Sequence, residues 1–249
     1  MKTGRILLSL SVLVCTGCVT AVPSSDDVKT EDGTCRNISY YDYGSPVPQH
    51  SASDDWFSDA IVIGDMRAGS LALYSDLASK GAEIIYEETL GVYSLKTSPI
   101  QMSSSTAYDI LLKSDRKKIY LWLGLNEVAY EVSDWATAYS EAVGEIIQSH
   151  QDAQIYLIGE YQAVSVNGID SETLASSIHA QNEAMQKIAE ENRIYFIDTA
   201  EPLSGNDGKI DGSYVWGGYS LNPDGAMKVS QLLFDHTVME DDHVKKICE

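Results

Sequence analysis

The chain is short of positive charge. It holds 17 Lys and Arg against 37 Asp and Glu, a net charge of −20 over 249 residues. Phosphate backbones and anionic headgroups are held by Lys and Arg, so this balance argues against nucleic acid or an anionic lipid surface as a partner. Metal-ligand spacing is missing too. The 4 cysteines and 5 histidines are scattered, and the acidic residues do not cluster, so no metal and no other cofactor is expected. The apolar run Ile6 to Val14 is too short to span a bilayer comfortably. No internal repeat is found. The apolar fraction of 44% is ordinary for a globular protein, which excludes wholesale disorder and leaves one large domain as the expectation.

What the N-terminus does contain is a basic start, Lys2 and Arg5, ahead of that apolar run. This is the pattern of an export signal. It ends in Leu13-Val14-Cys15-Thr16-Gly17-Cys18, which resembles a bacterial lipoprotein lipobox. Gly17 lets a peptidase approach, and the Cys18 thiol takes the lipid. Cys15, preceded by Val14, is the weaker acceptor. The resemblance implies that residues 1–17 are a signal peptide. It implies a chain held on the outer face of a bacterial membrane by acyl chains at Cys18, not by its acidic surface. Cys35 and Cys248 then remain, either joined in a disulfide or both free. Residues 18–55, rich in Ser, Asp, Thr, Pro and Gly, read as a tether and extended lead-in, with Tyr40, Tyr41 and Tyr43 clustered inside it. Trp56 and Phe57 open the globular part, residues 56–249.

From residue 60 onward, short apolar runs alternate with amphipathic stretches. Strands are expected at Ala60–Ile63, Glu83–Tyr86, Ile119–Leu123, Gln154–Ile158 and Ile194–Ile197. Helices are expected at Gly69–Ser79, Thr106–Lys113, Asp134–Ser149 with Ser133 as N-cap, and Glu172–Glu191 capped by Ser171. A final helix begins at Pro223, after Asn222. Five such strands separated by helices predict an α/β fold: a three-layer α/β/α sandwich around a five-stranded parallel sheet, flavodoxin-like. Ligands in such sheets sit beyond the carboxyl ends of the strands. The candidate site is therefore built from the turns after strands one, two, three and five.

Those four turns carry recognisable residues. They read Gly64-Asp65-Met66-Arg67, then Leu90-Gly91-Val92-Tyr93-Ser94-Leu95, then Gly124-Leu125-Asn126-Glu127, then Gly218-Tyr219-Ser220-Leu221-Asn222-Pro223-Asp224-Gly225. In order and spacing they resemble the SGNH (GDSL-type) hydrolases, from about residue 60 to 238. In that family the first block carries a nucleophilic Ser after Gly-Asp. The second gives an oxyanion-facing glycine N–H, and the third gives an Asn that donates to the same oxyanion. The last reads Asp-x-x-His-Leu-Asn-Pro, with His as base and Asp orienting it. The chemistry is acyl transfer. Here Met66 stands where Ser belongs, Ser220 where His belongs, and Gly217 where Asp belongs. Nucleophile, base and orienter are missing together. The resemblance retains Asp65, Gly91, Asn126 and Asn222 on the oxyanion side of the cleft, with Glu127 in place of the family's second acid.

Asp65 and Asn222 also have ordinary duties as caps of a turn and a helix, so retaining them does not require catalysis. Two readings follow. In the first, the chain is a pseudoenzyme that binds a glycan, an acylated ligand or a protein partner in the former cleft. Arg67, in the first block, is then expected as a ligand contact, and so are Trp216 and Tyr219, because aromatics at an open cleft stack sugar rings or cover acyl chains. Trp122 and Trp135 are expected in the core. In the second reading, the chain is an active esterase, deacetylase or acyltransferase with a relocated nucleophile. Ser70 is the candidate, one helical turn past Met66 and about 6 Å deeper along the axis. None of the five histidines lies in a matching turn; His179 is the nearest to a candidate base.

Overall fold

A computed structural model describes residues 27–248, apart from 31, 32, 54, 102 and 167. The export signal and Cys18 lie outside the described residues. In chain order the elements are β1 (Asp27–Thr30), β2 (Gly33–Ser39), β3 (Ala60–Gly64), α1 (Met66–Tyr74), β4 (Glu83–Tyr86), α2 (Ala107–Leu111), β5 (Lys118–Trp122) and α3 (Val132–Ser149). They continue as β6 (Gln154–Ile158), α4 (Ser171–Asn192), β7 (Tyr195–Ile197), α5 (Ala200–Leu203), β8 (Val215–Trp216), β9 (Ser220–Leu221), α6 (Pro223–Asp235) and β10 (Val244–Cys248). They fall into two compact units, one of residues 41–243 and one made from both ends of the chain.

In the larger unit five parallel strands lie in the order β4-β3-β5-β6-β7. Side chains alternate across the sheet because successive residues of a strand point to opposite faces. Ala60, Val62, Tyr120, Trp122, Tyr156 and Ile158 meet Ala68 and Leu71 of α1 and Val229 and Leu233 of α6 on one face. Ile61, Ile63, Ile119, Leu121, Ile155 and Leu157 meet α2, α3 and α4 on the other, through residues such as Leu111, Tyr139, Ile146 and Met185. Both faces are covered, which is why these strands are nearly continuous apolar runs. The expected three-layer sandwich is present.

Several boundaries differ from expectation, and capping explains most of them. The Asp65 side chain accepts the N–H of Arg67 at 2.9 Å, so α1 starts at Met66 and not at Gly69. It ends at Tyr74, where Ser75 turns extended, and not at Ser79. Helix α3 starts at Val132, which puts Ser133 inside the helix and not at its cap. Helix α4 is capped by Asp170 and not by Ser171: its carboxylate takes the N–H groups of Glu172 and Thr173. Asn222 caps α6 as expected, accepting from Gly225 N–H at 2.9 Å.

The smaller unit is an antiparallel sheet in the order β1-β2-β10. Its strands β1 and β2 fall in the stretch expected to be tether and lead-in.

Candidate functional site

Gly64, Tyr86 and Trp122 share one register at the carboxyl ends of β3, β4 and β5. The turn after β3 is built tightly. A Cβ on Gly64 would sit 2.8 Å from the Trp122 carbonyl oxygen. Asp65 and Arg67 are both buried. Arg67, expected as a ligand contact, faces inward. Its Nε and Nη2 donate to Asp65 at 2.8 and 2.7 Å, and Nη1 and Nη2 donate to Glu160, at the end of β6. Its guanidinium lies over the Trp122 and Tyr161 rings, 4.7 and 5.6 Å from their centroids. Burial works against its charge, but Asp65 and Glu160 outweigh that and hold it well above the usual range. Burial pushes the Glu160 carboxyl up, and Arg67 pulls it part of the way back. Glu160 follows an apolar strand and a glycine at the carboxyl edge, so its signal lies in the sequence, at the one strand end outside the four motif blocks.

Met66 is the residue that the turn presents. The residue is 36% exposed. It lines a pocket of about 320 Å³ with Ile84, Ile85, Tyr86, Glu87, Glu88, Ile100 and Gln101, along the outer strand β4. Ser70 is not at this surface. It is buried, and its hydroxyl donates to the carbonyls of Leu221 at 3.0 Å and Met66 at 3.2 Å. A nucleophilic hydroxyl needs a base to take its proton; the proton of this one is held by backbone.

The groups expected on the oxyanion side are engaged as well. The Gly91 N–H donates to Ser94 Oγ at 2.9 Å. The Asn126 amide nitrogen donates to the carbonyls of Glu88 and Leu90, both at 3.0 Å. An amide NH₂ has two hydrogens, and both are used. Glu127 is buried and ties down the same loop. Its carboxylate accepts Val92 N–H at 2.9 Å, Tyr93 N–H at 3.0 Å and the Trp135 indole N–H at 3.0 Å. A Cβ at Gly91 would run into that carboxylate at 2.5 Å, so this glycine is needed for close packing.

The last block forms a hairpin of β8 and β9 in which Trp216 faces Ser220. Gly217 and Gly218 turn it, with φ of 62° and 94°. Position 217, where the resemblance places an acid, thus holds left-handed backbone that favours glycine. Trp216 is exposed and meets Tyr74 edge-on at 5.8 Å, and Tyr93 and Tyr130, both exposed, meet at 5.3 Å. Tyr219 is half-buried against the small cluster of Leu125, Ala163 and Leu174, and its carbonyl accepts the Tyr161 hydroxyl. Trp122 and Trp135 are in the core, as expected. No histidine reaches these turns. His50 pairs with Asp242, and His150 meets Ser149 and the Leu111 carbonyl. His179 is exposed beside Glu183 on α4, His236 meets the Val47 carbonyl, and His243 meets the Tyr195 hydroxyl. Among the described residues no group of acidic, Cys and His side chains is arranged to hold a metal ion.

Comparison with known proteins agrees with this geometry at the level of fold. A GDSL-like lipase from Bacteroides thetaiotaomicron superposes with a TM-score of 0.57 at 13% identity, over 71% of this chain and 86% of its own. A catalytic mutant of an acetylxylan esterase from Geobacillus stearothermophilus gives 0.53 at 13% identity, over 73% and 94%. Another acetyl xylan esterase gives 0.52 at 14% identity, over 72% and 100%. No curated protein sequence matches. Residues 72–227 match the model of the GDSL-like lipase/acylhydrolase family, a span that takes in the turns of Gly91, Asn126 and Ser220 and starts just after that of Met66. The chain belongs to the GDSL-like lipase/acylhydrolase family.

Proposed function

We propose that this chain is a non-hydrolysing member of its family, an exported lipoprotein anchored through Cys18, which binds its ligand at the carboxyl edge of the sheet. The observation that carries the reading is Met66 after Gly64-Asp65, where the sequence resemblance expects a nucleophilic serine, in the wall of a pocket that mixes isoleucines with Glu87 and Glu88. The commitments of Gly91 and Asn126 support it, since neither has a hydrogen left for an oxyanion. The exposed pairs Trp216–Tyr74 and Tyr93–Tyr130 suit stacking on sugar rings, and the Met66 pocket suits an acyl group. An acylated glycan uses both, and acetylated xylan is a natural first probe because two structural neighbours are acetyl xylan esterases. A protein partner is the competing ligand class.

The test is turnover of short acyl esters and acetylated xylan by the purified chain, beside binding of the same glycan by calorimetry. The expected result is no hydrolysis above buffer, with binding that weakens when Trp216 is replaced by Ala. Enzyme-like turnover that disappears in Ser70→Ala overturns the reading and establishes a relocated nucleophile. Binding of neither glycan nor ester moves the search to protein partners.

A further inference from the structure

Cys35 and Cys248 stand directly opposite each other in the antiparallel ladder of β2 and β10. The register is continuous from Val244 opposite Ser39 to Cys248 opposite Cys35. A slip of one residue would turn every side chain of a strand to the other face, so a continuous register fixes which residues meet. Residues directly opposed in an antiparallel pair share a face, with Cα atoms about 4.5–5.5 Å apart. A disulfide spans Cα separations of about 4.4–6.8 Å. The pairing brings together two cysteines 213 positions apart in sequence (248 − 35). We propose that Cys35 and Cys248 are joined by a disulfide that closes the chain into a covalent ring around residues 36–247. The inference rests on strand register and is independent of whether the cleft hydrolyses or binds.

The bond forms by thiol–disulfide exchange with a small-molecule or protein disulfide. One cysteine thiolate attacks the oxidant's disulfide and expels a thiolate, leaving a mixed disulfide. The second cysteine thiolate attacks the protein sulfur of that mixed disulfide and expels the other half of the oxidant. Two protein thiols give up two protons and two electrons, and one oxidant disulfide becomes two thiols. Because an oxidant can be supplied in solution, the test does not depend on where the protein resides.

The experiment is to reduce the full-length chain, remove the reductant, add oxidised glutathione, block remaining thiols and digest with trypsin under non-reducing conditions. The expected product is peptide Thr30–Arg36 linked to Ile247–Glu249, lighter by two hydrogens than the sum of its parts. It should disappear in Cys35→Ser and in Cys248→Ser. It should fall at least about tenfold when the oxidation is run in denaturant, where strand register is lost and only loop closure favours it. Blocked thiols at both positions after oxidation would overturn the proposal. So would linkage of either cysteine mainly to Cys15 or Cys18, or equal yields with and without denaturant.

Discussion

Arg67 gives its side-chain hydrogen bonds to two carboxylates from different strand ends, in a place water does not reach. Removing it leaves Asp65 and Glu160 buried with no cation between them. Arg67→Met should therefore cost about 3–5 kcal/mol in urea unfolding, the usual penalty for breaking a buried ion pair on one side. Adding Glu160→Gln should return part of that loss, because it removes one of the stranded charges; strict additivity would show that the pair does not couple. Much of this site was legible as positions and little of it as directions. The motif spacing pointed to Met66, Gly217 and Ser220. It also suggested that Arg67 faces a ligand and Asn126 an oxyanion. Both turn to other partners, because the groups that capture them come from residues far away in sequence: Glu160 for one, the carbonyls of Glu88 and Leu90 for the other. Neither periodicity nor spacing encodes such partners.

At the scale of elements the strands were the readable part and the helix starts were not. An apolar run between two breakers has one sensible reading in an alternating α/β chain. A helix start depends on which of several adjacent polar residues turns its side chain back, and Asp170 won over Ser171. Backbone and hydroxyl hydrogen bonds from Thr173 hold the Asp170 carboxyl below the usual Asp range. A depressed folded-state value means that the ionised cap stabilises the fold above the ordinary Asp pKa and loses that contribution as pH falls through the depressed one. Asp170→Asn keeps a good cap and cannot titrate. The difference in urea midpoint between wild type and Asp170→Asn should be constant above the ordinary Asp pKa. Below it, wild type should lose stability relative to the variant. A flat difference down through the acid range would show that the cap is not ionised in the folded chain.

For the molecule as a whole, five parallel strands joined by right-handed helical crossovers put helices on both faces of the sheet, and the three layers were foreseeable. The sheet of β1, β2 and β10 was not, since its strands are weakly apolar and its outer members come from opposite ends of the sequence. The proposed anchoring is tested on the same scale. Cys18→Ala should move the exported chain from the membrane pellet to the soluble fraction. The chain lacking its lipid should not sediment with anionic vesicles, because its own charge is −20. Retention of the variant in the pellet would point to another anchor. Under the proposed reading, the two hydrogen bonds of Asn126 also set a direction on mutational history. A serine arriving at position 66 meets no donor ready to serve it. A change that first frees the amide loosens the loop held at Glu88 and Leu90 and returns no activity. Each single step back toward hydrolysis is thus neutral or harmful, and selection working one substitution at a time has a ratchet here that turns only toward binding.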